Sequence, residues 1–160
     1  AVLEALDLLE RDGVRANACR IKAFPFTQEV LDFCARHDQV FVVEQRVSEA
    51  EEWDGIDEQC QHVIARDDAA GADGAIGTGR LLPDGKIGRM AVLKPWRGRG
   101  VGSALLKELI AMARDAGFAE TRLHAQTHAL GFYRRHGYAA VGDEFMEAGI
   151  PHYEMVLRLR

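Results

Sequence analysis

Apolar residues at Val2, Leu3, Leu6 and Leu9, with Leu8, recur at the spacing of one helix face and stop near Gly13. That pattern predicts a short N-terminal helix over residues 1–13. Residues 18–24, ACRIKAF, alternate as a strand does. Thr27 then stands as an N-cap ahead of Val30, Leu31, Cys34 and Ala35, which share a helical face. VFVVEQ (40–45) is a short apolar run whose element type the pattern leaves open. QHVIARDD reads as a strand ending in an acidic turn. GAIGTGRLLPDGKIGRMAVL reads as two strands joined at Pro83-Asp84-Gly85. The clearest helix is Ser103 to Ala116, with Val101, Leu105, Leu109 and Met112 as its buried stripe and Gly117 as its left-handed stop. TRLHAQT follows as a strand and THALGFYRRHGY as a short helix ending near Gly137. YAAVGDEF and HYEMVLRL close the chain as an antiparallel pair. The order is mixed α+β, without repeats or a linker that would divide it, so residues 1–160 read as a single domain.

Length and composition narrow the class. A chain of 160 residues, 48% apolar and 28% charged, suits one globular core. The formal net charge of −5 lacks the basic footprint of general nucleic-acid binding. Cys19, Cys34 and Cys60 are widely spaced and form no CxxC, so free thiols in a reducing cytoplasm are expected. The opening AVLEALDLLERDG carries Glu4, Asp7, Glu10 and Asp12, unlike a secretory leader. No apolar run approaches the roughly 20 residues that span a bilayer. Neither a membrane nor a nucleic acid is therefore an expected partner.

The chemistry concentrates in WRGRGVGSALL (96–106), where glycines alternate with arginines just ahead of a helix. The first amides of a helix have no internal partners, and the macrodipole adds positive potential there. Glycine lets a phosphate approach the backbone, and Arg97 and Arg99 add forked donors. The segment thus has the makings of a pyrophosphate cradle. Its spacing is not that of a dinucleotide fold, and it lacks the Gly-Lys-Ser/Thr ending of a P-loop. On glycine spacing alone, a turn packed for structural reasons, or an NAD or ATP module of another fold, stays open.

Arg97-Gly98-Arg99-Gly100-Val101-Gly102 resembles the R/Q-x-x-G-x-G/A signature of the GNAT superfamily of N-acetyltransferases. A second block, Gln126, Ala129, Phe132, Tyr133 and Gly137-Tyr138, is similar to that family's N-x-x-A-x-x-F-Y…G-F pattern, with Gln for Asn and Tyr for Phe. The resemblance runs from about residue 17 to 160 and is most specific between 87 and 138. VFVVEQ with the downstream GIPHYEM is also similar to a branch of small bacterial members that includes the ElaA-like group. The resemblance implies a mostly antiparallel sheet splayed into a V and flanked by helices, with acetyl-CoA as acyl donor in the gap and an amine as acceptor. It places the pantetheine arm along Met90, Ala91 and Val92. It places the pyrophosphate on the amides from Gly98 through Arg99, Gly100, Val101 and Gly102 to Ser103, with Arg97 and Gln126 also on the cofactor.

Acyl transfer to an amine must strip a proton from an ammonium ion and supply one to the leaving thiolate. The resemblance places Tyr133 at the position proposed to protonate the thiolate. Because neighbouring helical residues point about 100° apart, one of Phe132 and Tyr133 can fill the core while the other faces the cleft. The base is less determined. The KIGRMAV strand presents Arg89 where many relatives carry a carboxylate. Glu44, a carboxylate closing an apolar run, is the leading candidate for base or amine anchor; His62, His124, His152 and a water chain are alternatives. No Cys/His spacing suggests a metal. The acidic stretch Glu49 to Glu58, with Trp53 and Ile56 to pack it, is either a solvated face or a wall that attracts a cationic acceptor. Edge strands of a splayed sheet offer a surface for a homodimer. A CoA-binding sensor of the same fold without catalysis is the competing reading.

Overall fold

The computed structural model describes the backbone of residues 20–24, and residues 56–67 and 74–160 in full. The expected helices at 1–13 and after Thr27, the run 40–45 with Glu44, and Trp53 lie outside the described residues. β1 (Arg20–Phe24), β2 (Gln61–Arg66), β3 (Ala75–Leu81) and β4 (Ile87–Val92) form an antiparallel sheet in sequence order. Helix α1 (Val101–Asp115) leads to β5 (Glu120–Gln126). Helix α2 (Leu130–Arg135), β6 (Ala139–Glu147) and β7 (Ile150–Arg158) follow, and the second sheet has the order β5-β7-β6. No described helix is long and apolar enough to cross a membrane.

The β3–β4 hairpin turns where the sequence predicts. Gly85 takes φ +84°, and Asp84 accepts a hydrogen bond from the Lys86 amide at 3.0 Å. Helix α1 begins two residues earlier than its periodicity suggests, because Gly100 already caps it in the left-handed conformation at φ +77°. Its end is the expected one. The amides of Gly117 and Phe118 return to the carbonyls of Arg114 and Ala113, at 3.0 and 3.1 Å, and Gly117 holds φ +83°. Leu105, Leu106, Leu109 and Ala113 are fully buried against Val63, Ile76 and Ile87 of the first sheet, while Met112 sits at the margin of this core.

The N-terminal end of α1 lies close on β3. A Cβ added at Gly77 would stand 3.0 Å from the Ala91 carbonyl oxygen, 3.0 Å from the Leu105 side chain and 3.3 Å from that of Val101. Gly77→Val therefore forces strand and helix apart and is expected to lower stability by about 1–3 kcal/mol. Urea unfolding measures this; a loss below about 0.5 kcal/mol, the range of an ordinary surface change, would refute the close seat.

Buried polar side chains hold a turn against the first sheet. Arg80 of β3 forms an ion pair with Asp57, and His62 of β2 lies 2.9 Å from the Asp57 carbonyl through Nε2. Together they clamp the 3-10 turn Asp57–Gln59 onto the sheet. Cys60 is a buried free thiol whose Sγ donates to the Ile56 carbonyl. Ile56 and Asp57, at the end of the acidic stretch, are thus held by Cys60, His62 and Arg80.

Candidate active site

The two sheets meet at an isolated parallel bridge between Lys86 and Arg122, beside the start of β4. Beyond it β4 and β5 belong to different sheets, so their facing edges open into a cleft. The Leu93 amide donates to Ile76 of β3 at 2.9 Å. Strand alternation therefore turns the amide and carbonyl of Val92 to the other edge, toward the cleft. Lower on the strand the pairing slips. Thr78 pairs with Ala91 and Arg80 with Gly88, so β4 has one residue more than β3 over this interval. Arg89 sits there at φ +52°, an uncommon conformation for a residue with a side chain. Such a bulge takes backbone amides out of the ladder and re-aims them. The site where the sequence places Met90, Ala91 and Val92 thus combines a free-running strand edge with a bulge at its inner end.

At the outer end of the cleft, Gly98 and Gly100 both hold positive φ, +82° and +77°. The first bond of the helical ladder runs from the Ala104 amide to the Gly100 carbonyl at 3.0 Å. The amides of Val101, Gly102 and Ser103 precede it, in the position where helix amides lack internal acceptors. The turn is held from both sides. Arg97 donates through Nε to the cleft-facing Val92 carbonyl at 2.9 Å, and the Arg99 guanidinium lies 4.8 Å from the centroid of the Trp96 ring. Both arginines thus have a packing role that the sequence did not disclose. Ser103 Oγ lies 3.0 Å from His136 Nε2, which brings the end of α2 beside the glycine turn. His136 carries no motif signal in the sequence beyond the basic run Arg134-Arg135-His136 that closes α2.

Phe132 and Tyr133 are both buried, edge to face at 5.0 Å, and the Tyr138 ring lies 5.9 Å from that of Tyr133. Burial, with the neighbouring Tyr138, pushes the Tyr133 phenol far above its ordinary range. Burial also pushes Tyr138 up to about 12, against the opposing effect of its hydrogen bond with Thr121. Both phenols are thus held protonated. Because their folded values lie above the unfolded value of about 10, they contribute stability below that pH. The contribution is lost as pH rises beyond it, when the unfolded chain releases those protons first. The phenolate absorbance of these two tyrosines is expected to appear together with loss of the fold in alkaline titration. Ionisation of both in a fully folded protein would refute the burial argument.

The structure separates the alternative bases. His62 is buried in the clamp on Asp57, away from the cleft edge of β4. His124 and His152 come together on the second sheet around Glu147. His124 Nδ1 is 2.9 Å from one carboxylate oxygen of Glu147, and His152 Nε2 is 3.7 Å from the other. Gln126 ends β5 at the cleft's outer end, opposite His152 in register. Among the described residues no group of His, Cys, Asp or Glu is arranged to hold a metal.

With this geometry in hand, the chain can be set beside known proteins. A sequence profile described as "Acetyltransferase (GNAT) domain" matches residues 26–159. The chain belongs to the GNAT acetyltransferase family. It is 41% identical over 122 residues to the protein YyaT of Bacillus subtilis, covering 72% of this chain and 80% of that one. It is 39% identical over 123 residues to YjcF of the same organism, an uncharacterized N-acetyltransferase, covering 74% and 85%. Among crystal structures, an acyl-CoA N-acyltransferase from Pseudomonas aeruginosa superposes with a TM-score of 0.76 at 27% identity, over 88% of this chain and 99% of that one. Escherichia coli ElaA shares the fold with a TM-score of 0.76 at 24% identity, over 88% and 99%. The GNAT fold, with antiparallel sheets flanked by helices, is the one the sequence resemblance implied.

Proposed function

We propose that this GNAT protein transfers an acetyl group from acetyl-CoA to a primary amine. The observation that carries the reading is the cleft between β4 and β5, bulged at Arg89 and closed at its outer end by the positive-φ turn before α1. The pyrophosphate takes the amides of Gly98 to Ser103, where the helix start favours negative charge. The pantetheine amides pair with the cleft edge of β4 at Met90 to Val92. Binding there displaces the Arg97 Nε from the Val92 carbonyl or shares that acceptor with it. The acyl end then reaches the bulge, whose re-aimed amides stabilise negative charge as it develops on the thioester oxygen.

Amine attack forms the C–N bond, and collapse breaks the C–S bond with the electron pair leaving on sulfur. Tyr133, held protonated, suits donation to that sulfur. The excess proton on the new amide nitrogen restores the phenol. The sequence candidate Glu44 enters this scheme as an acceptor anchor. Calorimetric titration with acetyl-CoA, NAD and ATP, followed by thiol release over an amine panel, tests the reading. Acetyl-CoA binding with amine-dependent thiol release is expected. Binding without turnover would leave a CoA sensor, the reading that Arg89 in place of a strand carboxylate favours. Preference for NAD or ATP would overturn the acyl-CoA site itself.

A further inference from the structure

The motif GIPHYEM and the strand TRLHAQT lie far apart in sequence, yet the register of the second sheet puts their histidines on one face. His152 pairs with both Gln126 and Phe145, and His124 pairs with Glu154, so these side chains project to the same side. The opposite side carries Leu123 and Met155, which are buried in the core. Glu147 joins the two histidines from β6, and Phe145 packs edge-on to His124 at 4.9 Å and stacked on His152 at 6.0 Å.

The hydrogen bonds fix the protons. Two groups meet His124 Nδ1, the Glu147 carboxylate at 2.9 Å, which only accepts, and the Lys86 ammonium at 3.4 Å, which only donates; the shorter contact favours the proton on Nδ1. In the neutral ring Nε2 is then bare, with its lone pair available. His152 Nδ1 lies 2.8 Å from the Ile150 carbonyl and must also carry its proton. The Nε2 of His152 lies 3.7 Å from the other carboxylate oxygen of Glu147. The charged groups around His124 on the described elements are Lys86, with Nζ 3.4 Å from Nδ1, Glu147 of β6 and Glu154 of β7. Arg122 is engaged by Glu120 and Glu154, and His124 itself remains partly exposed.

Position in the cleft gives this dyad a use. His124 is two residues past Arg122, the β5 partner in the bridge that joins the sheets. Counting the same way from Lys86, just before β4, reaches Gly88, next to the bulge at Arg89. The imidazole therefore belongs to the inner end of the cleft, across from the bulge. We infer that His124 is the general base of acyl transfer, with Glu147 as its positioning residue. This inference rests on the acyltransferase reading above. The acceptor ammonium gives one proton to His124 Nε2 and becomes a neutral amine. Glu147 holds the tautomer and faces the resulting imidazolium, which releases its proton to solvent after turnover. His152 braces the second carboxylate oxygen. The amine then attacks as described, so one proton leaves through His124 and the other reaches the thiol by way of Tyr133.

An amine that is already neutral at the assay pH does not need this base, which makes the test specific. Wild type, His124→Gln and Glu147→Gln are compared by thiol release from acetyl-CoA. The acceptors are primary alkylamines and weakly basic amines such as methoxyamine and aniline. His124→Gln is expected to lower kcat/KM by about 10²-fold or more for alkylamines. Weakly basic amines and acetyl-CoA affinity should be affected far less. Glu147→Gln should show the same split with a smaller loss. Equal losses for both amine classes, or none for either, overturn the assignment. A wild type that binds acetyl-CoA but acetylates no amine overturns the acyltransferase reading and the base with it. Independently of turnover, imidazole ¹H–¹⁵N correlation spectra should show neutral His124 protonated at Nδ1 in wild type. Protonation at Nε2 would overturn the dyad even in an active enzyme.

Discussion

Gly100→Asp is expected to abolish measurable acetyl-CoA binding in a protein that still folds. Gly100 turns the chain at φ +77° immediately before α1, and the amides of Val101 to Ser103 follow it. An aspartate there places a carboxylate where the proposed site holds pyrophosphate, and its Cβ blocks close approach. Losing two charge-assisted hydrogen bonds alone costs about 3 kcal/mol or more, over 100-fold in Kd. The left-handed conformation costs a non-glycine residue roughly 1–2 kcal/mol, and less for Asp or Asn. Gly100→Asn is therefore the matched control: it carries the same conformational cost without the charge and should bind better than the aspartate variant. Calorimetry on both, with circular dichroism to check the fold, decides the matter. Wild-type affinity in a folded Gly100→Asp would remove the phosphate cradle.

Tyr133→Phe should leave acetyl-CoA affinity within a few fold and lower the single-turnover acyl-transfer rate by about 10²- to 10⁴-fold. The exchange deletes one oxygen and keeps the ring that packs between Phe132 and Tyr138, so the fold should persist. A rate loss with intact binding locates the effect in the transition state. An unchanged rate would reduce Tyr133 to a core residue, in line with the burial of its ring.

The elements legible in the sequence are those that local signals specify. Pro83-Asp84-Gly85 fixes a hairpin whatever surrounds it. The stripe through Leu105 and Leu109 fixes the buried face of α1, and glycine at positions 98, 100 and 102 marks the turn. The bulge in β4 was not legible, because nothing in KIGRMAV says that Arg89 adopts a left-handed conformation; that follows from the register imposed by β3. On α2 the sequence offers two adjacent rings, and the fold buries both, with Tyr138 beside Tyr133. The grouping of His124, Glu147 and His152 required the register of three strands at once. Single residues announced themselves as candidates, but only pairing across the sheet made them a set.

The irregularity in β6 has a consequence for how this molecule meets others. Among the described strands, β6 is the outer strand of its sheet, and Val141 and Met146 on it are exposed. Its pairing with β7 breaks between Val141 and Phe145, where Gly142 takes φ +73° beside Asp143 and Glu144. A second chain aligning along this rim would find a straight run of amides only in two short pieces, with carboxylates at the gap. The rim is thus protected against end-to-end polymerisation. Straightening it, by deleting the Gly142–Glu144 kink, is the change that would invite fibres.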